Sequence, residues 1–433
     1  AICAGVGVLT TILFGMAPAI QAGRADPNRD LRASGARGTV GGIAARLRYG
    51  FVTVEIALCL MLLISAGLLL RSFAALTSVD LGFKTDNLLA AKISYSGAAK
   101  DASLKLLQPA LNQVLTTSGV RSAAITQSLP MEELSDCNYI VTGQPKSQFN
   151  SRAPSAEISI VSDAYFDTLG IGLRAGRSFS GRDTQASGLT AIVNQALARR
   201  SFPETNPLGQ QLFFGYTEDT LRGVTIVGVV ADARLDGPRE PVRPRIYLPY
   251  LQFSRGDMHL LIATRGNPLN FAQPVRNIIF GLDREATVKL TTMDAHLATT
   301  VAEPRFNSFL LSAFAGLATL LAAVGVYGVM AYSVSQRTTE IGLRMALGAK
   351  QMSVVGMVML EALRLAGAGL VIGLFGALWA SRLLRAQLFG VSSVDPAVFA
   401  CMLGLILAVA LTAAFIPALR ASKVEPSEAL RQD

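Results

Sequence analysis

The segment RTTEIGLRMALGA (337–349) places Ile341 four residues before Met345 and Leu343 four before Leu347. Residues so spaced share a helix face. A short helix here would be amphipathic, ringed by Arg337, Glu340 and Arg344. The chemistry on offer is recognition. Ile341 and Met345 are apolar anchors inside a charged rim, the surface a docking helix offers a partner. Gly342 leaves room for close approach. The same residues also fit a charged turn obeying the positive-inside rule. Three charges lie within apolar runs: Glu55, Glu361 and Arg364. A charge at the bilayer centre costs about 2.5–3.5 kcal/mol, so such residues often mark a proton or substrate path. Glu55, however, lies about one turn from the end of its run and reaches the interface. Glu361 and Arg364 are three apart and so placed to pair with each other. A third pattern is Gly369, Gly373, Ala377 and Ser381, all spaced by four. Small residues at this spacing let helix backbones approach closely in lipid, within one subunit or between two.

Bond-making chemistry has no such residues. The sequence contains no G-x-x-x-x-G-K-[ST] loop, no H-E-x-x-H and no G-x-S-x-G, so the chain is not expected to hydrolyse ATP. His259 and His296 are the only histidines. Cys3, Cys59 and Cys401 sit in apolar runs and Cys137 stands apart, which is neither a disulfide framework nor a zinc spacing. No metal and no cofactor are expected.

The elements that must carry these residues are membrane helices. Of 433 residues, 51% are hydrophobic and only 16% charged, against roughly 25% charged in soluble domains. The net charge of +9 comes largely from Arg beside apolar runs, which indicates membrane topology and no nucleic-acid partner. Five stretches reach the roughly 20 apolar residues a spanning helix needs: 1–20, 51–71, 309–332, 354–380 and 397–416. The segments 21–50, 333–353 and 417–433 carry excess Lys and Arg and are placed in the cytoplasm. The short loop 381–396 and the large segment 72–308 are then outside. That large segment reads as mixed α/β: GVTIVGVVADAR (223–234) and RIYLPY (245–250) as strands, LKLLQPALNQVLTTS (104–118) as a helix, and TAIVNQALARRSF (190–202) as a strand running into a helix. The expected fold is a membrane α-helical bundle with a large inserted α/β domain.

An internal repeat matches PAIQAGRADPNRDLR (18–32) to PALRASKVEPSEALR (417–431). The chain opens at Ala1 inside an apolar stretch, without a basic n-region. Both observations read as the end of one repeat unit followed by a nearly complete second.

RTTEIGLRMALGA resembles the cytoplasmic coupling loop of the FtsX/MacB-like permeases, the type VII ABC transporters. PALRASKVEPSEALR resembles that family's C-terminal signature. SDAYFDTLGIGLRAGRSFS (162–180) and AIVNQALARRSFPETNPLGQQL (191–212) resemble its periplasmic core domain. The tandem arrangement is similar to duplicated permeases of acidobacteria. The resemblance implies a four-helix unit with a periplasmic domain between its first two helices, in the bacterial inner membrane. The helix 1–20 would be the last of the preceding unit, and that unit a pseudo-dimer partner. It further implies a separate ABC ATPase whose motion enters through Arg337, Glu340, Ile341, Gly342, Arg344 and Met345, making the chain an energy transducer for efflux or envelope export. The rival reading is an ATPase-less membrane protein that signals to, or scaffolds, a periplasmic partner.

Overall fold

The computed structural model describes residues 40–94, 100–132, 134, 136–145, 149, 153–215, 221–253 and 258–422. The expected helix 1–20, the first copy of the repeat and most of the second copy lie outside them. The chain divides into two compact units: one holds residues up to Leu68, Leu310–Leu388 and those from Ser392 on, and the other holds Leu69–Phe309 with Phe389–Val391.

Among the described residues the first element in chain order is helix α1 (Val40–Thr77). There follow β1 (Leu88–Ser94), α2 (Lys100–Leu115), β2 (Val120–Thr126), β3 (Asp136–Val141) and β4 (Ser155–Val161). Next come α3 (Tyr165–Leu169), β5 (Leu173–Gly176), β6 (Thr190–Asn194), α4 (Gln195–Ser201), β7 (Gln211–Phe214) and β8 (Arg222–Val230). The domain ends with β9 (Arg245–Pro249), α5 (Tyr250–Phe253), β10 (Met258–Thr264), α6 (Ala272–Leu282), β11 (Thr287–Thr292) and α7 (Met293–Thr300). Four more helices follow among the described residues: α8 (Ala302–Gln336), α9 (Thr338–Ala346), α10 (Gln351–Leu383) and α11 (Pro396–Ala421).

Among the described residues, four helices are long and apolar enough to cross a membrane, within α1, α8, α10 and α11. The first three have 38, 35 and 33 residues. At 1.5 Å per residue each is about 50 Å or longer, well beyond a hydrocarbon core of about 30 Å. The apolar runs in the sequence therefore mark only the middle of each helix. Within the membrane unit α1 is the most enclosed, burying Val52, Ile56, Ala57, Cys59, Leu60, Leu63 and Ile64. By contrast α8 exposes Phe314, Leu317, Leu321 and Val324 along one side, the composition lipid solvates. At the start of α11, Asp395 accepts hydrogen bonds from the Ala397 and Val398 amides at 3.0 and 3.2 Å, with Pro396 at the first helical position.

In the second unit the strands alternate as period two requires, with both faces buried. Leu89, Ala91 and Ile93 of β1 enter one core, roofed by Leu107, Leu111 and Val114 of α2 and Val275 and Ile279 of α6. Leu88 and Ala90 enter the other, with Tyr165, Phe166 and Leu169 of α3 and Met293 of α7. Among the described residues the sheet has eleven strands, and its order starts β11-β1-β10-β2-β4. Beyond β2 the pairings β4–β3–β7–β8–β6–β9 return to β4 and close a ring. Two of its joints, β4–β9 and β6–β8, are parallel.

The segments that resemble the periplasmic core supply its corners. The Asn194 carboxamide oxygen accepts from the Leu197 amide at 3.0 Å, capping α4, and from the Arg245 amide at 3.0 Å, while its nitrogen donates to the Arg243 carbonyl at 2.8 Å. One buried side chain thus starts a helix and sets the entry to β9. Gly170, at φ +71°, ends α3 by turning Ile171 N–H back to the Phe166 carbonyl.

Candidate functional site

The loop 337–349 folds as α9, and its end follows from its residue types. Gly348 adopts φ +92° and donates to the Met345 carbonyl, and Ala349 donates to the Arg344 carbonyl, both at 3.0 Å. That is a Schellman stop, which needs a residue comfortable in the left-handed region. Glu340 and Arg344 pair across one turn at 2.6 Å. Arg337 precedes the helix and reaches Glu361 of α10 at 3.4 Å.

The apolar residues divide in a way the spacing alone left open. Ile341, expected outward as an anchor, is only 4% exposed and packs with Val354 of α10 and Ala421 of α11. Val334 of α8 and the partly buried Met345 lie against the same cluster. Gly342 is buried beside it. The outward pair is Leu343 and Leu347, 51% and 80% exposed, with Met352 exposed nearby. Thus Ile341 fastens α9 to the ends of three helices, and the surface left for a partner is Leu343 and Leu347 with Arg344, Glu340 and Lys350 around them. The four-residue spacing of Leu343 and Leu347 was visible in the sequence. Nothing local says which of two such pairs meets the ends of α10 and α11.

Of the charges within the apolar runs, Glu361 finds partners different from the one expected. Glu361 does not pair with Arg364. Its Oε1 accepts from the Tyr49 hydroxyl of α1 and from Ser333 Oγ of α8 at 3.2 Å, while Oε2 faces Arg337. Beside these residues in the chain the Arg48 guanidinium lies 4.0 Å over the Tyr332 ring, and elsewhere on α8 the Tyr327 hydroxyl accepts from Arg420 at 3.0 Å. Such polar and aromatic side chains suit the edge of a membrane. Glu55 lies in the notch left by Gly325 of α8, where a Cβ would stand 2.4 Å from its Oε2.

The small-residue row faces α1. A Cβ on Gly369 would come within 2.8 Å of Ile56 and 3.0 Å of the Thr53 carbonyl. One on Gly373 would lie 2.9 Å from both the Cα and the carbonyl oxygen of Ala57. Ala377 and Ser381 are buried on the same side of α10, and the Ser381 hydroxyl donates to the Leu378 carbonyl at 3.1 Å. Gly369 and Gly373 thus let two helices of the same chain touch backbone to backbone.

In the other unit several carboxylates with no signal in the local sequence are buried or half-buried against Arg or His partners. Arg245, at the start of β9, reaches Glu157 and Asp236 through Nη2 and Ser159 Oγ at 3.1 Å through Nη1. Burial raises the Glu157 carboxyl well above its ordinary range and the Asp236 carboxylate adds to this, while Arg245 and Arg243 oppose it. The Arg177 guanidinium grips Asp183 with two contacts of 2.8 Å and holds its carboxyl below the usual range. The hydrogen bond from His259 Nε2 to Glu132, 3.2 Å long, lowers that carboxyl to about 2; burial opposes it, and the Leu129 amide and Lys92 add to it. Among the described residues no cluster of His, Cys, Asp and Glu is placed to hold a metal ion.

Helices long enough to span a bilayer, joined to a large α/β domain and a short amphipathic helix, define an integral membrane architecture. Residues 56–295, more than half of the chain, match the family model "MacB-like periplasmic core domain", and residues 312–426 match "FtsX-like permease C-terminal". The chain belongs to the MacB/FtsX-like permease family. It is 30% identical over 300 residues to the "Probable syringafactin export ATP-binding/permease protein SyfD" of Pseudomonas syringae pv. tomato, a match covering 64% of this chain and 42% of that one. It is 26% identical over 234 residues to the "Macrolide export ATP-binding/permease protein MacB" of Aggregatibacter actinomycetemcomitans, covering 52% and 35%. The matched region spans half or less of the length of these curated relatives. Among solved structures, the periplasmic region of MacB from Actinobacillus actinomycetemcomitans matches at 17% identity and TM-score 0.35, covering 51% of this chain and 94% of that one.

Proposed function

We propose that the chain is the membrane subunit of an export system of the bacterial inner membrane, with α9 as the cytoplasmic docking site of an ABC ATPase. The observation that carries this reading is the division of apolar residues on α9: Ile341 is buried at the helix ends while Leu343 and Leu347 face outward within a charged rim. Among the described residues these two leucines are left largely uncovered on a charged helix. They are what a partner's apolar pocket takes up, and Glu340, Arg344 and Lys350 set register against it. The relatives named as ATP-binding/permease proteins lend support, since their names join both activities. When the ATPase closes, α9 is displaced, and Ile341 passes that displacement to α8, α10 and α11. The domain between α1 and α8 then acts on the exported molecule from the periplasmic side. Lipid surrounds the bundle, and a preceding repeat in a longer chain would supply the second half of a pseudo-dimer.

The test is a comparison of two substitutions. Leu343→Asp with Leu347→Asp leaves the buried contact intact, so the protein should reach the membrane at normal level. If each leucine is a hot spot of roughly 2 kcal/mol, docking weakens by about a thousandfold and the ATPase no longer co-purifies. Ile341→Asp should instead lower the amount of folded protein. ATPase recovery undiminished in the double variant refutes the docking role and favours the ATPase-less scaffold. Cysteines placed within 90–300 should react with impermeant reagents from the periplasmic side, and those within 337–350 should not; the reverse pattern overturns the orientation.

A further inference from the structure

Glu361 is where α9 meets the helix that leads into the α/β domain. It lies on the third turn of α10, and three other elements donate to its carboxylate. Tyr49 Oη of α1 and Ser333 Oγ of α8 share Oε1, and Nη1 of Arg337, the residue just before α9, faces Oε2. The side chain is 24% exposed, and its partners Tyr49 and Ser333 adjoin Arg48 and Tyr332 in the chain.

This arrangement differs in kind from the apolar fastening at Ile341. Ile341 touches α10 and α11 and approaches α8, but α1 is absent from that cluster. Glu361 is the group through which the start of α9 and α1 hold the same side chain. Arg337 is the only cation on this carboxylate among the described residues. If α9 moves so that Arg337 withdraws, the carboxylate is left without a cation while still bound to Tyr49. Charge-assisted bonds are stronger than neutral ones and in low dielectric depend on one another. The position of α9 therefore alters how firmly α1 is held.

We infer that Glu361 is a positioning residue that relays displacement of α9 to α1 through the Tyr49 hydroxyl. This rests on α9 being the point where the drive enters. Two variants separate the relay from docking. Tyr49→Phe removes the bond to α1 and keeps the ion pair. Glu361→Gln keeps an acceptor for Tyr49 and Ser333 and removes the charge that Arg337 meets. Neither touches Leu343 or Leu347.

The experiment is hydrogen exchange on the full-length protein purified with its co-purifying ATPase, with and without ATP and vanadate. In the wild type, trapping should change exchange in 338–346 and in 46–53 together. Both variants should keep ATPase recovery and the response of 338–346. The response of 46–53 should fall by roughly tenfold, within the usual range of coupling between sites. A merely structural defect would reduce both responses or the protein yield. A wild-type response of 46–53 in both variants overturns the relay, as does a wild type in which 46–53 never responds. If no ATPase accompanies the wild-type protein, the docking reading fails on its own. The relay is then judged in the isolated protein, where Glu361→Gln must speed exchange in 46–53 as well as in 338–346, and unchanged exchange in 46–53 overturns it.

Discussion

Replacing Gly373 by Ala adds one methyl where two backbones already touch. The new Cβ would sit 2.9 Å from the Cα and carbonyl oxygen of Ala57 and 3.1 Å from Leu60 Cβ. Two of these three atoms belong to the backbone of α1, so no side-chain rotation relieves them. Gly367 provides the control on the same helix, since a Cβ there meets nothing within 4 Å. In both positions Gly→Ala gains helix propensity, up to about 1 kcal/mol, and that gain cancels in the comparison. What is left is overpacking, which typically costs about 1–3 kcal/mol. Gly373→Ala should therefore be less stable than Gly367→Ala by about 1–3 kcal/mol, read from equilibrium unfolding in mixed detergent micelles at fixed lipid content. Gly369→Ala, with Ile56 at 2.8 Å and the Thr53 carbonyl at 3.0 Å, should behave like Gly373→Ala. Equal stability of the Gly373 and Gly367 variants would falsify the argument that the small-residue row is there to let α10 lie against α1.

Two further predictions concern the α/β unit. The folded Glu132 carboxyl is held at about 2 against an ordinary 4.5, so its stabilising contribution is complete above pH 4.5 and is lost as pH falls toward 2; the shift corresponds to roughly 3 kcal/mol at most. Acid unfolding followed by circular dichroism should be less steep over that window in Glu132→Gln, and identical curves would remove the His259 bond as the cause. Arg245→Leu removes the cation that Glu157 and Asp236 share and leaves Arg243 on Glu157, which should cost about 3 kcal/mol, the low end for breaking a buried pair. Adding Glu157→Leu and Asp236→Asn should restore much of it, and a triple variant as unstable as the single one would argue against uncompensated charge.

Much of the architecture could be read from local pattern. Long apolar runs marked the cores of α1, α8, α10 and α11, a β-branched run marked β8, and the short apolar segment RIYLPY marked β9. The strand and helix at 190–202 appear as β6 and α4, joined by Asn194. The helix ends were less legible, because α1 begins at Val40, eleven residues before its apolar run, where Arg46 and Arg48 hide a continuing helix. Partnership was the least legible property. Glu361 and Arg364 satisfy every local rule for an ion pair, yet the Tyr49 hydroxyl, 312 residues away in sequence, takes that carboxylate. On α9 the burial of Ile341 in place of Leu343 depends on where Val354 and Ala421 arrive. The ring of strands joins segments such as β4 and β9, and its closure is a property of the whole domain with no counterpart in any window of sequence.

The pairing of β1 has a consequence for how the protein is made. This strand follows α1 closely, yet its partners on either side are β10 and β11. About 170 residues separate the end of β1 from the end of β10, which at roughly 5–20 residues per second takes on the order of 10–35 s to synthesise. During that interval LLAAKIS has both edges unpaired and apolar side chains on both faces, beside a helix already suited to the bilayer. Until Thr264 emerges, the nascent chain carries an apolar strand with open edges, the kind of segment that seeds aggregation unless it is covered. Slower elongation between β1 and β10 should therefore increase aggregation rather than relieve it.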